Sequence, residues 1–348
     1  MLLAKQQPPL SAKNKQGVPF IMSKNTVLIL GASGRFGQAA IHAFQIAGWH
    51  VIAQSRAQPS HRIEGVSYLQ NSIFDTTALV RAATGASVVV HAINPAYAQW
   101  QTQALPLCRA GMNIAEQLDA LFMLPGNVYN YGATMPAVLH VDTPQQPTAR
   151  KGTIRCDMEN EMTQRSSAKL RSVVIRAGDF FGGGTGNWFD LVILKSAANG
   201  KLVYPGPTNI AHAWAYLPDL AQTFELVARA SIYDRCTPQF ERLHFAGCSL
   251  TGLEMLSALE AALNKVRAAN NQMEIKFSHG TLPWGFIKFA GVVVPSWREL
   301  GEMAYLWTTA HQLPDTALVA KIGAVPATPL ETAIANSLNL LGFQAAKK

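Results

Sequence analysis

Three glycines near the start of the chain have the spacing of a turn that binds phosphate groups. Gly31, Gly34 and Gly37 follow an apolar run at 27–30, and apolar residues then recur at helical spacing over 36–47. In such a strand–turn–helix the first glycine permits the turn, the second lets the backbone approach a pyrophosphate, and the third lets the helix pack on the strand. Free N–H groups at the helix start bind the phosphates. The predicted cofactor-binding residues in this turn are Gly31, Ser33, Gly34, Arg35, Phe36 and Gly37.

The residue that would distinguish NAD from NADP lies at the end of the second predicted strand. An acid at this place binds the ribose hydroxyls of NAD, but this chain has Arg56. A guanidinium binds a 2′-phosphate in bidentate fashion, whereas an acid repels it. Arg35 adds a second guanidinium inside the turn. The alternative is that Arg56 is a solvated surface arginine. We predict NADP rather than NAD.

The elements that must position these residues alternate between strands and helices through about residue 180. This alternation predicts an α/β fold with a doubly wound parallel sheet. Ligands of such sheets bind beyond the carboxyl ends of the strands. The loops after Ile93, Leu124 and Arg176 should therefore lie beside the glycine turn. Four more residues are predicted to contact the cofactor: Ala92 at the end of the strand that runs to Ile93, and Asn94, Gly178 and Phe180 in these loops.

The chain divides into a dinucleotide-binding domain and a smaller C-terminal substrate lobe. We expect the domain to span residues 23–182, with segments at about 208–230 and 240–247 returning to the sheet. The lobe takes residues 183–207 and 248–348. Residues 1–22 lack the continuous apolar run of a signal peptide, and the stretch from Met22 is typical of a natural start. We expect the preceding segment to be a poorly ordered extension, an expression remnant or a misassigned start.

Composition narrows the class of ligand. The chain has 348 residues, a formal net charge of +8 and 49% hydrophobic residues, but its basic residues are scattered. The scatter favours an anionic cofactor or small-molecule substrate over nucleic acid. The 4 cysteines are far apart, which predicts no metal site and a reducing cytoplasm. No run is long and apolar enough to predict a membrane span.

Five motifs in order resemble the extended short-chain dehydrogenase/reductase family, also called NAD-dependent epimerases/dehydratases. They are GASGRFG, VVVHAINP, NVYNYG, IRAGDFFG and WAYLPDLA, and they cover roughly residues 25–225. Thr328–Leu330 also resembles the tail of this family. The resemblance implies a Rossmann domain and a homodimer formed through helices that flank the sheet. In the last of the five motifs, we expect Asp219 to cap the following helix.

The chain departs from the residues with which that family usually catalyses, a Tyr-x-x-x-Lys pair and a Ser or Thr. Aligning ARKGTIRCDMENE on the family's acid, here Glu159, puts Lys151 and Arg155 in the places of the tyrosine and the lysine. The resemblance then implies that Arg155 supplies a positive charge near the nicotinamide ribose. Lys151 is a candidate proton donor, and Tyr129 and Tyr131 on the neighbouring loop are alternatives. The competing interpretation is that Lys151 and Arg155 only face solvent on a polar helix, and that Tyr129 and Tyr131 only pack within their loop.

Five further residues are candidates for substrate contact. A glycine-rich stretch precedes two of them and could close over the nicotinamide, and the others lie toward the lobe boundary. They are Asn187, Trp188, Tyr204, His212 and Trp214. The leading hypothesis is an NADP-dependent oxidoreductase of a small or medium carbonyl compound. The alternatives are an epimerase or dehydratase that keeps its cofactor, and a non-catalytic NADP-binding sensor or scaffold.

Overall fold

A computed structural model of the protein describes residues 25–58, 62–166, 170–233 and 238–344. The extension predicted for residues 1–22 lies outside the described residues. In chain order the strands are β1 (Thr26–Leu30), β2 (His50–Ser55), β3 (Val66–Gln70), β4 (Val88–His91), β5 (Leu121–Gly126), β6 (Ser172–Arg176), β7 (Asp179–Phe181), β8 (Lys201–Tyr204), β9 (Ala211–Tyr216), β10 (Phe240–His244), β11 (Cys248–Thr251) and β12 (Ser278–Thr281).

The helices alternate with the first strands and then form most of the lobe. They are α1 (Arg35–Ile46), α2 (Thr76–Ala82), α3 (Trp100–Leu118), α4 (Arg150–Ser166), α5 (Leu217–Tyr233), α6 (Gly252–Ala269), α7 (Trp284–Ala290), α8 (Pro295–Gly301), α9 (Thr316–Ile322) and α10 (Leu330–Leu340). Within the described ranges, no helix has the length and apolar character needed to cross a bilayer.

The central sheet confirms the predicted fold class. It has seven parallel strands in the order β10-β6-β5-β4-β1-β2-β3. The inner strands are continuous apolar runs because helices cover both faces of the sheet, and residues such as Ile29 and Val89 are fully buried. The strand order reverses between β1 and β4, so a crevice opens there at the carboxyl edge.

The two segments predicted to return to the sheet behave differently. β10 lies at the edge of the central sheet and pairs with β6. β9 instead joins a separate three-stranded sheet with β7 and β11, and α5 packs beside α1. The lobe has its own aromatic core. Its buried aromatic residues are Phe181, Phe189, Tyr204, Trp214, Tyr216, Phe277 and Trp307.

Candidate active site

The glycine turn has the close approaches that its spacing predicts. Gly31 has φ +87°, and a Cβ there would lie 2.8 Å from the Ile93 backbone nitrogen. A Cβ on Gly37 would lie 2.3 Å from the Gly31 carbonyl oxygen, so only glycine lets α1 pack this closely on the turn. A Cβ on Gly34 would lie 3.3 Å from the Gly31 carbonyl oxygen and 3.7 Å from the Ala92 carbonyl oxygen. The turn therefore exposes the start of α1 to the crevice at the carboxyl edge.

One cleft of about 1040 Å³ joins that turn to the lobe. The loops after β1, β4, β5 and β6 form its wall on the sheet side. Seven predicted cofactor residues line the cleft: Gly34, Arg35, Phe36, Ala92, Asn94, Arg155 and Phe180. Five others lie outside its wall: Gly31, Ser33, Gly37, Arg56 and Gly178. Gly178 packs against β9, where a Cβ would meet the Ala213 carbonyl, and Arg56 is exposed at the end of β2.

Arg155 faces the cleft from α4 without a carboxylate partner among the described residues. Its Nη1 donates to the Pro125 carbonyl at 3.0 Å, and its guanidinium lies 5.0 Å from the centre of the Trp100 ring. Its Nε is buried and has no hydrogen-bond partner in the described part of the chain. Burial lowers the pKa of Arg155. An anionic or electron-rich ligand group would compensate this charge.

Arg35 connects the cofactor turn to the glycine-rich loop 182–186. Its Nη1 donates to two carbonyls of that loop. The Asp190 carboxylate holds the end of the loop by accepting two backbone N–H groups at 2.7 Å each. Asn187 Oδ1 accepts the Phe189 N–H at 2.9 Å, so Asn187 begins the following helical segment. Asn187 lines the cleft, and its side-chain oxygen is engaged in this local bond.

Two tyrosine hydroxyls meet on the cleft wall. The hydroxyl oxygens of Tyr129 and Tyr97 lie 3.0 Å apart, and both residues line the cleft. Burial raises the pKa of Tyr129 well above its usual value, and Tyr97 and Asp179 raise it further. Burial also raises the pKa of Tyr97. Both hydroxyls therefore stay protonated at neutral pH, and the one that accepts their mutual bond can donate its proton to a substrate oxygen.

Lys151, the predicted proton donor, lies behind Tyr97 rather than on the cleft wall. Its side chain is fully buried, and its Nζ lies 4.9 Å from the centre of the Tyr97 ring. The ammonium bonds to the Glu302 carboxylate at 3.0 Å and to the Glu299 carboxylate. These contacts join α4 to the end of α8. A role for Lys151 as proton donor stays a prediction, and its two carboxylate partners favour a structural role.

Tyr131 belongs to a buried polar network instead of the cleft. Its hydroxyl lies 3.0 Å from His244 Nε2 and accepts a bond from Arg176. Arg176 Nε donates to Glu159 Oε1 at 3.0 Å. Burial raises the pKa of Tyr131 to about 12 and lowers that of His244 to about 4. The network ties α4 to β6 and β10, so the acid used to align the family motif serves as an anchor of α4.

Asp179 is a cleft residue that the sequence analysis did not single out. It is the only carboxylate among the described residues that line the cleft. Its carboxylate has no hydrogen-bond or ion-pair partner within the described ranges, and burial raises its pKa to about 7. His91, also on the wall, stays neutral because burial and Arg155 lower its pKa to about 3. The available signal for Asp179 was an acid just beyond a buried strand, at the carboxyl edge.

The lobe side of the cleft is mainly apolar. Trp188 lies there with its ring centre 5.1 Å from that of Trp307. Lys195 is exposed and is the one cation among the described residues that line this side. The other side chains on this side that make it apolar are Leu191, Val192, Val203, Leu282, Phe286, Ile287, Trp297 and Leu300. This half of the cleft matches an apolar ligand carrying few polar groups.

The three remaining candidates for substrate contact lie beneath the cleft. Tyr204, His212 and Trp214 are fully buried and do not line it. The Tyr204 hydroxyl lies 3.1 Å from His212 Nδ1, and burial lowers the pKa of His212 to about 3. Tyr204 and Trp214 pack against Trp307, which in turn contacts Trp188. Their contacts support the cleft wall from within the core.

Solved structures match almost the whole chain, although no family model and no curated protein matches it. MoeE5 in complex with UDP-glucose and NAD is 15% identical, with a TM-score of 0.66 over 91% of this chain and 98% of that one. A UDP-glucose 4-epimerase is 16% identical, with a TM-score of 0.68 over 93% and 99%. UDP-glucose 4-epimerase from Brucella ovis in complex with NAD is 12% identical, with a TM-score of 0.67 over 90% and 97%.

Identities this low show the fold and leave the reaction open. The matched structures cover both the seven-stranded sheet and the lobe, which agrees with the order of the five sequence motifs. The resemblance inferred from those motifs is therefore confirmed for the fold: this chain has the fold of the extended short-chain dehydrogenases/reductases, the family of the UDP-glucose 4-epimerases.

Proposed function

We propose that this protein is an oxidoreductase that uses a nicotinamide dinucleotide to interconvert a carbonyl and a hydroxyl group on an apolar substrate. The observation that carries the proposal is the single cleft that runs from the glycine turn to an apolar lobe wall. Asp179 and the hydroxyls of Tyr97 and Tyr129 lie along this cleft. A cofactor site and groups able to move a proton thus share one space.

The residues present fit such a cofactor. Gly31 and Gly37 keep the turn tight, and the start of α1 offers free N–H groups to a pyrophosphate. The buried Nε of Arg155 has no partner among the described residues and could bind a ribose or phosphate oxygen. Ala92, Asn94 and Phe180 would line the nicotinamide half. The likeness to structures that contain NAD supports a nicotinamide dinucleotide.

We further propose NADP rather than NAD, on the chemistry of Arg56. Its side chain is exposed beyond β2 and has no ion-pair partner in the described ranges. The guanidinium is therefore free to bind a 2′-phosphate. Arg35 is already bonded to the glycine-rich loop, which leaves the predicted discrimination to Arg56.

The proton would pass through Asp179. When bound, the nicotinamide supplies or accepts the hydride. Asp179 has a pKa of about 7, so its protonated form can give a proton to a carbonyl oxygen and its ionised form can take one from a hydroxyl. Of the paired Tyr129 and Tyr97 hydroxyls, the one that accepts their mutual bond keeps its proton free and would orient that oxygen by donating to it. Lys151 and Tyr131 remain predictions in this role, and both are engaged elsewhere.

The apolar lobe wall favours this carbonyl chemistry over a sugar-nucleotide epimerase. A nucleotide diphosphate needs several cations and hydrogen-bond donors, whereas the described lobe wall offers Lys195 among mainly apolar side chains. The epimerase or dehydratase stays the second candidate because structures with this fold include UDP-glucose 4-epimerases. The homodimer and the cytoplasmic location stay predictions.

The test is a titration of the purified protein with NADPH and NADH, followed by fluorescence and thermal shift. NADPH oxidation is then measured with a panel of apolar aldehydes and ketones, using wild type and Asp179→Asn. We expect NADPH-selective binding and turnover that depends on Asp179. Binding without turnover of any carbonyl compound or UDP-sugar would support the sensor, and failure of both cofactors to bind would overturn the proposal.

A further inference from the structure

An exposed apolar tip projects beside the cleft mouth, on the hairpin formed by α7 and α8. Phe289 is 78% exposed, and Val292 and Val293 are each 80% exposed. We call this surface the α7–α8 tip and define it as Phe286, Phe289, Val292, Val293, Val294 and Trp297. Exposed apolar residues are ordinarily scattered singly, so six of them within 12 positions of one hairpin mark an interaction surface.

The charges around the tip are basic. Lys288 and Arg298 are exposed and have no acidic partner among the described residues. The acids of the same hairpin face inward, because Glu299 and Glu302 pair with Arg150 and Lys151. The tip therefore presents apolar side chains flanked by unneutralised cations, within a chain of net charge +8. Anionic lipid headgroups complement this pattern.

The tip is also continuous with the substrate side of the cleft. Phe286 and Trp297 are 59% and 37% exposed, and both line the cleft. Between them and the interior lie the apolar side chains of Leu282, Ile287 and Leu300. An apolar path thus runs from the exposed tip into the space where the proposed substrate would lie.

We propose that the α7–α8 tip docks on the surface of an anionic lipid bilayer. The apolar side chains of the tip insert into the interface, and Lys288 and Arg298 contact the headgroups. In this arrangement the tip lies at the membrane surface. A carbonyl compound dissolved in the bilayer then reaches the cleft past Phe286 and Trp297; this last step rests on the proposed function, whereas the docking does not.

The test is co-sedimentation of the full chain with phosphatidylcholine vesicles, with and without phosphatidylglycerol. We expect binding that requires phosphatidylglycerol and weakens as salt rises. The double variant Phe289→Ser with Val293→Ser should bind about tenfold more weakly or worse, because two apolar side chains no longer leave water. Lys288→Gln with Arg298→Gln should lose the preference for anionic vesicles.

A matched control uses apolar residues exposed elsewhere. Ile46 and Met273 are 81% and 84% exposed, and Ile46→Ser with Met273→Ser should bind vesicles like the wild type. Thermal unfolding checks that each variant is folded. No binding by the wild type, or equal loss in the control, overturns the docking. Light scattering supplies one more outcome that overturns the docking. If the wild type is a dimer and the Phe289→Ser and Val293→Ser changes dissociate it, the tip joins two copies of the chain instead.

Vesicle binding and catalysis are measured separately. Docking with no carbonyl turnover would remove the proposed function and leave the docking in place. Turnover of soluble carbonyl compounds with no vesicle binding would remove the docking and leave the proposed function in place.

Discussion

The buried ammonium of Lys151 lies 3.0 Å from the Glu302 carboxylate, which joins the first turn of α4 to the residue after α8. Burial alone would raise the pKa of Glu302, but the Arg150 N–H and Lys151 hold it below its usual value. Glu299 completes the cluster. The position that the family alignment assigns to the catalytic tyrosine is thus occupied by a cation that holds two elements together.

Replacing Lys151 with alanine should therefore cost stability. The change leaves the carboxylates of Glu299 and Glu302 partly buried with Arg150 as their remaining cation, and we expect the free energy of unfolding to fall by about 1–3 kcal/mol. Urea unfolding at neutral pH measures it. Lys265→Ala is the control, because its surface pair with Glu331 is exposed and should contribute at most about 1 kcal/mol.

The same variant separates the two roles considered for Lys151. A structural role predicts nearly normal turnover of NADPH in the variant at a temperature where it stays folded. A loss of turnover by roughly 100-fold with unchanged stability would instead identify Lys151 as the proton donor.

The sequence is informative where the signal is local. The glycine spacing, the apolar strands and the helix that follows each depend on residues within one turn or strand, and the doubly wound sheet follows from their alternation. The partner of Lys151 could not be found this way, since Glu302 lies 151 positions away. Nothing in the first turn of a polar helix indicates that its lysine is fully buried.

Two other differences between the sequence-based expectations and the structure also come from contacts between residues that are distant in the chain. Tyr204 and His212 carry side chains suited to chemistry, but their strands direct them into the aromatic core around Trp307. Asp219, predicted to cap α5, instead accepts the N–H and hydroxyl of Thr328 at 2.7 and 2.6 Å. Residue type suggested a role in each instance, and distant packing decided the actual contact.

Asp179 gives the reaction a pH dependence with a defined sign. Because burial raises its pKa to about 7, carbonyl reduction should be fast below neutral pH, where Asp179 is protonated, and should fall as pH rises through about 7. Alcohol oxidation should show the opposite trend. Asp179→Asn should lower kcat by roughly 100-fold and remove the inflection in kcat/KM. Asp157→Asn, an exposed change on α4, is the control and should keep the wild-type profile.

The same residue should affect stability. A carboxyl whose pKa is raised from 3.8 to about 7 contributes stability that is complete below the unfolded value and is lost as pH rises through the folded value. Between these limits the wild type should lose free energy of unfolding relative to Asp179→Asn. Denaturant unfolding of both proteins across this range measures the difference. Parallel curves for the two proteins would contradict the raised pKa.

Arg56→Ala tests the proposed choice of cofactor. If the guanidinium binds a 2′-phosphate, the affinity for NADPH should fall by roughly tenfold while that for NADH stays unchanged. Fluorescence titration with both cofactors measures this ratio. Arg81→Ala, an exposed arginine at the end of α2, should change neither affinity. If Arg56→Ala lowered the affinities for NADPH and NADH equally, Arg56 would not be the residue that binds the 2′-phosphate.

Glu159 should carry one of the larger contributions to stability in this fold. Its side chain is 2% exposed and pairs with Arg176, which is fully buried. Glu159→Gln leaves that guanidinium without its counter-charge, so we expect the free energy of unfolding to fall by about 3 kcal/mol or more at neutral pH. Glu161→Gln is the matched control on the same helix. The arginine partners of Glu161, Arg109 and Arg165, are partly exposed. Glu161→Gln should therefore lower the free energy of unfolding by about 1 kcal/mol or less, as is usual for surface pairs.

The contribution of Glu159 also has a predicted dependence on pH. Burial by itself would raise the pKa of Glu159, but its bonds from Arg176 hold the value below 4.5. A depressed carboxylate pKa contributes stability that is present above the unfolded value and is lost as pH falls through the folded one. The gap between wild type and Glu159→Gln should therefore be widest near neutral pH and should narrow in acid. A gap that stays constant down to acid pH would mean that packing of α4, rather than the ion pair with Arg176, accounts for the loss.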